Sequence, residues 1–324
     1  MGTGDKIHAD SGDPESLSAR PSTYERIRNA PTDFHIVARA ANEASAESGT
    51  HHGRVGPSPR RAARRLAGVD WHAYAECYDL LCSVNPAYRE LLTEFGNFVR
   101  GAGLRQGAEI LDLGGGTGNF FSLGLPRQIA VSSRLIHLDS DSRMVSIAQR
   151  KYDEQQLQVR TIRRDAHTFV FPAASLDCIL SVNALYAMPN PVAVLRKAFH
   201  WLRPGGRLFL VNLGRVLDSA DWRAFLLRTN VRDLGVVRAL RILLTDGRVI
   251  ARANERIADA QRVGQFWTHS TEEFGTTLQH LGYELDEIRP VYRGYSDLVI
   301  AHKPSVVGPS EHPATPGDLD DRYV

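Results

Sequence analysis

Cysteine is scarce in this 324-residue chain, with three in all, Cys77, Cys82 and Cys178. A disulfide framework or a zinc site needs several sulfurs at set spacings, so these three are read as buried thiols in a reducing compartment, and no metal site is expected. Long hydrophobic runs are also lacking. No stretch is long enough to span a bilayer, and the amino terminus has no apolar core of the kind a secretory signal requires. Asp5, Asp10, Asp13 and Glu15 argue against a transit peptide. Excess charge of one sign is the third absence: 39 Lys and Arg against 37 Asp and Glu leave a net charge of +2. That is too mild for a protein whose affinity would rest on neutralising phosphates. The expectation is a cytoplasmic protein without a membrane span or a nucleic-acid partner, acting on a small or neutral molecule. Oligomeric state is not legible.

What is present is ordinary globular material, with 43% hydrophobic and 23% charged residues. Residues 1–65 are rich in Ser, Ala, Gly and Pro with no sustained apolar period, and are read as a disordered extension. The arginines Arg60, Arg61, Arg64 and Arg65 near its end are either an anion contact or a solvated helix face, and receive no function. Over 66–105, Trp71, Tyr74, Tyr78, Leu81, Leu91, Phe95 and Phe98 recur at helical spacing, which predicts a helical cap.

Residues 106–302 alternate short apolar runs with helical segments, the pattern of a parallel sheet wrapped by helices. The predicted class is α/β: a Rossmann-like doubly wound sheet, mostly parallel with an antiparallel carboxyl-terminal strand, plus a helical cap and lid. Strands are expected at Ile110–Leu113, Leu135–Leu138, Val159–Ile162, Leu176–Val182 and Arg207–Asn212. Helices are expected to begin near Thr117, Ser142 and Pro191, with Pro204-Gly205-Gly206 as the turn that ends the last of these. A helical lid is expected over about 216–262, then a helix capped by Ser270 and Glu273. A strand pair, about Glu284–Ile288 and Asp297–Ala301, closes the sheet. Residues 303–324 are read as a disordered tail.

The run ILDLGGGTGNF, Ile110 to Phe120, sets a glycine-rich turn between a buried strand and a predicted helix. Gly114, Gly116 and Gly118 leave no side chain in the way of a nucleotide-type ligand, and free helix N–H groups would face it. The spacing is Asp-x-Gly-x-Gly-x-Gly from Asp112. It departs from the dehydrogenase fingerprint, whose third glycine would fall on Asn119 or Phe121, and this disfavours NAD. Asp139 ends the second strand roughly twenty residues on, where a carboxylate can accept both hydroxyls of a ribose. Asp141 competes for that role, or else caps the helix that follows. Asp165-Ala166 and Ser181-Val182-Asn183 fall at carboxyl ends of later strands, where open sheets bind ligands.

In these residues the chain resembles the class I S-adenosylmethionine-dependent methyltransferases, in particular the small-molecule group containing the ubiquinone and menaquinone enzymes. The resemblance covers about Trp71 to Trp201, continues through Leu202-Arg203-Pro204-Gly205-Gly206, and thins out beyond Gly214. It implies S-adenosylmethionine as cofactor, with Asp112 and the Gly114 to Gly118 loop at its methionine part, Asp139 and Ser140 at the ribose and adenine, Asp165 at the adenine amino group, Ala166 beside the ring and Asn183 near the methionine end. Tyr78, and Tyr74 unless it is core, resemble the cap tyrosines that close over the cofactor in that family.

The expected activity is methyl transfer to an O, N or C nucleophile of a small molecule, in specialised or quinone-type metabolism. The alternatives are a protein methyltransferase and a non-catalytic, S-adenosylmethionine-binding regulator. Asn183-Ala184-Leu185-Tyr186 lacks the Pro-Pro-aromatic stretch with which amino-methylating nucleic-acid enzymes grip a flipped base. His269 and His167 are the candidate bases should an oxygen be methylated, and each has a structural reading beside it. Trp222, Phe225, Leu226, Leu243, Leu244, Phe266 and Trp267 are candidates for the substrate pocket or the lid core. Arg293 and Tyr295 either reach the substrate or form a hairpin tip.

Overall fold

The structure, a computed structural model, describes residues 69–305. The arginine cluster Arg60 to Arg65, the extension to residue 65 and the tail beyond Ser305 lie outside them.

The cap is a pair of helices, α1 (Trp71–Val84) and α2 (Pro86–Gly101), meeting at Asn85. Asn85 Oδ1 accepts the Ala87 N–H, and Pro86 occupies the first turn, where a missing donor costs nothing. The next elements are β1 (Ala108–Leu113), α3 (Arg127–Ser132), β2 (Ser133–Asp139), α4 (Ser142–Glu154), β3 (Val159–Arg163), β4 (Leu176–Val182), α5 (Pro191–Trp201) and β5 (Leu202–Leu213). Three lid helices follow, α6 (Ser219–Leu234), α7 (Val236–Leu244) and α8 (Asp246–Arg262), and then α9 (Thr271–His280), β6 (Glu284–Val291) and β7 (Ser296–His302). The seven strands form one sheet in the order β3-β2-β1-β4-β5-β7-β6. All pairings are parallel except those of β7, which runs antiparallel to both β5 and β6.

This is the Rossmann-like sheet expected. Strands β1 and β4 sit at its centre and are buried on both faces, which is why they read as apolar runs. One core layer packs Trp201, Phe171, Phe274 and Tyr283 against one face. The other packs Phe95, Phe120, Phe121, Tyr152 and Phe209 on the opposite side. All three cysteines are buried and none forms a disulfide. Among the described residues, no helix is long and apolar enough to cross a membrane.

Two local expectations are corrected. No α-helix starts at Thr117. The chain instead makes a π-helical turn over Phe120–Gly124, closed by Leu125 N–H to Phe120 O at 2.9 Å. Gly118 has φ +77°, Gly124 packs so closely that a Cβ would lie 3.2 Å from Leu92 O, and Pro126 lacks a donor, so a regular helix cannot propagate here. The wide turn buries Phe120 and Phe121 together. Pro204-Gly205-Gly206 does not precede the fifth strand but bulges within it: Leu176 pairs with Leu202, and the ladder resumes with Cys178 opposite Arg207. The bulge is tied to the end of β7 by Gly205 N–H to Lys303 O and Lys303 N–H to Gly206 O.

Candidate functional site

The carboxyl ends of β1, β2, β3 and β4 open into one cavity of about 260 Å³, roofed by α1, α2, α6 and α8. Of the residues singled out in the sequence, Tyr78, Asp112, Gly114, Gly116, Asp139, Ser140, Asp165, Ala166 and Asn183 all line it. They span more than a hundred positions of sequence, and the sheet topology alone brings them to one edge.

The glycine loop wraps around the end of β2, with the N–H groups of Gly114 and Gly115 both reaching Leu138 O, at 2.8 and 3.2 Å. Gly114 sits at φ +69°, and a Cβ there would fall 2.5 Å from that of Ala184, so the loop and the end of β4 approach too closely for any side chain. Gly116 N–H donates to Asp139 Oδ2 at 2.9 Å, and Asp141 N–H to Asp139 Oδ1 at 2.9 Å. These bonds aim the Asp139 carboxylate into the cavity with lone pairs to spare. Asp141 is the cap of α4, its Oδ1 accepting from Arg143 and Met144. Asp165 accepts from His167 N–H at 2.7 Å, and Lys197 Nζ holds the same loop by donating to the carbonyls of Ala166, His167 and Phe169.

Asp112 is 2% exposed, and its Oδ2 has no hydrogen-bond partner among the described residues. Burial, reinforced by the nearby Asp139 carboxylate, pushes its pKa up to about 8. Asp139 is likewise raised, chiefly by burial, with the N–H groups of Asp141 and Gly116 working against the shift. An orphaned buried carboxyl beside a second carboxylate is a site built for a cationic partner that supplies hydrogen bonds.

The cap is fastened to the glycine loop by a network that sequence reasoning missed. Lys151, on α4, reaches Asp79 of α1 and also donates to Asn119 Oδ1 at 2.6 Å, while Thr117 Oγ1 donates to Asp79 Oδ1 at 2.6 Å. The Tyr-Asp pair that ends AYAECYD carries the signal, since an acid one position after the partly buried Tyr78 faces the loop rather than the core.

Other expectations are redirected. Gly118 does not line the cavity: a Cβ there would lie 2.4 Å from Tyr152 Oη, so it serves packing against α4. The positive end of a regular helix is absent at this loop, whose Gly114, Gly115, Gly116 and Gly118 N–H groups are taken by protein acceptors. His167 is exposed and His269 is buried, and neither lines the cavity. His269 is held by Asn212 Nδ2 at 2.8 Å, lies near Asp297 and stacks on Phe274 at 4.3 Å. Burial lowers its pKa. Trp222 and Leu226 line the cavity, whereas Leu244 is exposed and Trp267 packs on Phe274. Arg293 donates to both carboxylate oxygens of Asp221, at 2.9 and 2.8 Å, and Tyr295 to Asp221 Oδ2 at 3.0 Å, so both residues clamp the lid helix α6.

Residues 110–206 match the methyltransferase domain family. Those residues form a class I S-adenosylmethionine-dependent methyltransferase domain, and S-adenosylmethionine is its cofactor. It is similar to the ubiquinone/menaquinone biosynthesis C-methyltransferase UbiE of Nitrosospira multiformis, 26% identical over 239 residues that cover 72% of this chain and 90% of that one. UbiE of Azotobacter vinelandii is 28% identical over 184 residues, 53% of this chain and 71% of that one. Among solved structures, an S-adenosylmethionine-dependent methyltransferase from Aquifex aeolicus superposes at TM-score 0.42, with 14% identity, over 76% of this chain and 98% of that one.

Proposed function

We propose that the enzyme methylates a small organic molecule held between the cap and the lid, with Asp112, Gly114, Gly116, Asp139, Ser140, Asp165 and Ala166 as its cofactor residues. The orphaned Oδ2 of buried Asp112 is the observation that carries the cofactor part of this reading. S-adenosylmethionine supplies an electrophilic methyl on a sulfonium and a cationic amino group. Asp112 and the loop Gly114 to Gly116 receive its methionine end, where the ionised carboxyl gains the partner it lacks. Asp139 has lone pairs left for two ribose hydroxyls after accepting from Gly116 and Asp141. Asp165 and Ala166, on a loop pinned by Lys197, bound the adenine. Asn183, at φ +48° and with its Oδ1 accepting from Ser296 Oγ at 3.0 Å, stands between the cofactor end and the rest of the cavity.

The protein's remaining work is to hold the nucleophile in line with the methyl group and to exclude water. Neither histidine candidate lines the cavity, so the proposed reaction uses no imidazole base. A cavity roofed by the cap and the lid favours a small acceptor over a protein side chain on a folded partner. The test is incubation with methyl-labelled S-adenosylmethionine and a panel of small aromatic and enolic compounds, read by product mass. Transfer of label to an added protein and to none of the compounds would overturn the reading.

A further inference from the structure

The cavity is divided by charge. Its charged lining residues, Asp112, Asp139, Asp141, Arg164 and Asp165, all come from the carboxyl ends of β1 and β2 and from the loops after β2 and β3. The opposite end, supplied by the cap, the lid, the chain at the ends of β4 and β5 and the β6–β7 turn, has aromatic and aliphatic walls with neutral polar groups. A charged acceptor would lose its hydration there without a countercharge.

Within that neutral end one polar group is deliberately oriented. Tyr292 stands at φ +52° and Arg293 at +60°, two successive non-glycine residues in the left-handed region, a costly turn that persists only where the surroundings over-determine it. The turn lays the Tyr292 ring 4.7 Å from that of Trp222 and delivers its hydroxyl to Asn85. Asn85 is 1% exposed, and both ends of its amide are engaged: Oδ1 caps α2, and Nδ2 donates to Tyr292 Oη at 2.8 Å. The phenol oxygen therefore accepts, and its own proton, which has no acceptor among the described residues, is left to donate. Burial pushes this phenol above its ordinary range, so it keeps that proton. Trp222 Nε1, in the same wall, is a second buried donor without a partner.

We propose that this end is an oxygen-anchoring subsite: an uncharged methyl acceptor of aromatic size lies against the tyrosine and tryptophan rings, and Tyr292, oriented by Asn85, donates to a carbonyl-type oxygen on it. The inference rests on the methyltransferase reading for the identity of its ligand. The subsite itself is defined by Asn85, Tyr292 and Trp222 alone.

The test is equilibrium dialysis of the full chain, with S-adenosylhomocysteine present, against 2-acetylnaphthalene, 2-ethylnaphthalene and 2-naphthoate. These share a ring system but present a neutral acceptor, no acceptor and an anion. The parent should bind the ketone about three- to tenfold tighter than the hydrocarbon, the span of one neutral hydrogen bond, and should bind the carboxylate weakest. Tyr292→Phe should erase the preference for the ketone while leaving hydrocarbon and S-adenosylhomocysteine affinities unchanged. Asn85→Asp keeps the oxygen that caps α2 but takes the Tyr292 proton for itself, and should erase the preference too. A parent that fails to bind the ketone, or binds the naphthoate as tightly, or a variant that keeps the preference, would overturn the subsite. Failure to bind S-adenosylhomocysteine would instead overturn the cofactor reading, which the ketone preference does not depend on.

Discussion

Lys151 Nζ lies 2.9 Å from Asp79 Oδ2, joining the helix after β2 to the cap helix that roofs the cavity. The lysine side chain is only 12% exposed, and burial lowers its pKa against the pull of Asp79. Asp79→Asn leaves that cation with neutral partners, so it should lower unfolding stability by about 2 kcal/mol, below the loss seen when a fully buried pair is broken. Because the same carboxylate ties Thr117 to the cap, S-adenosylhomocysteine affinity should fall as well. Lys151→Met combined with it should recover part of the stability and none of the affinity. Urea unfolding and calorimetry separate the two effects.

Asp112 sets a pH dependence with a definite sign. Its folded pKa of about 8 stands above the value of about 3.9 expected in an unfolded chain, so the native state holds an extra proton between those limits. Stability should therefore decline as pH rises from about 4 to about 8, and Asp112→Asn should flatten that decline. Cofactor binding has the opposite slope. A cationic ligand favours the ionised carboxyl, so binding below pH 8 should release a proton, and affinity should rise from pH 6 to pH 8. Calorimetry in buffers of different ionisation enthalpy counts that proton. Proton release persisting in Asp112→Asn would assign it to another group.

Arg293 holds the lid from a distance of 72 positions in sequence, pairing with Asp221 and lying 4.2 Å over the ring of Phe225. Both side chains are partly exposed, at 26% and 35%, so Arg293→Ala should cost only about 1 kcal/mol of global stability. Its local effect should be larger: protease cleavage within 216–262 should accelerate, and product formation should fall, with cofactor affinity unchanged. Unaltered cleavage in limited proteolysis would mean that the lid is held by its core contacts alone.

The sheet and the loops at its carboxyl edge were legible because local sequence dictates them. Ile110, Leu111 and Leu113 are apolar because β1 is buried on both faces, and Gly114 beyond it is demanded by its positive φ and by the close approach of Ala184. Asp141 and Ser270 were legible as caps because a cap is satisfied within three residues of its own chain. The contacts of the cap and lid with the β6–β7 turn were not. Asn85 meets Tyr292 across 207 positions and Asp221 meets Arg293 across 72, and no local period encodes a pairing between elements that meet only after folding. The π-turn at Phe120 escaped because a helix and a widened turn bury the same two phenylalanines. His269 drew attention as an imidazole near the lid, but only its stacking on Phe274 and its bond to Asn212 reveal a structural role.

Asp139 and Asp141 are two positions apart, and the fold gives them opposite tasks. Asp139 accepts from two loop N–H groups and presents the rest of its carboxylate to the cavity, whereas Asp141 is spent on the N–H groups of Arg143 and Met144. Asp139→Ala should weaken S-adenosylhomocysteine binding by about 2 to 3 kcal/mol, since two ribose hydroxyls lose a charged acceptor and recover part of that from water. That is on the order of thirty- to a hundredfold in affinity. The same change frees the N–H groups of Gly116 and Asp141, so a small loss of stability without ligand accompanies it; Asp139→Asn, which keeps one acceptor oxygen for them, should restore part of the stability but not the affinity. Asp141→Ala should behave in the reverse way, costing about 1 kcal/mol of stability through the lost cap and changing affinity little. Thermal unfolding and calorimetry on the three variants decide the matter: if Asp141→Ala is the one that loses affinity, the ribose lies one turn further along the loop than Asp139 can reach.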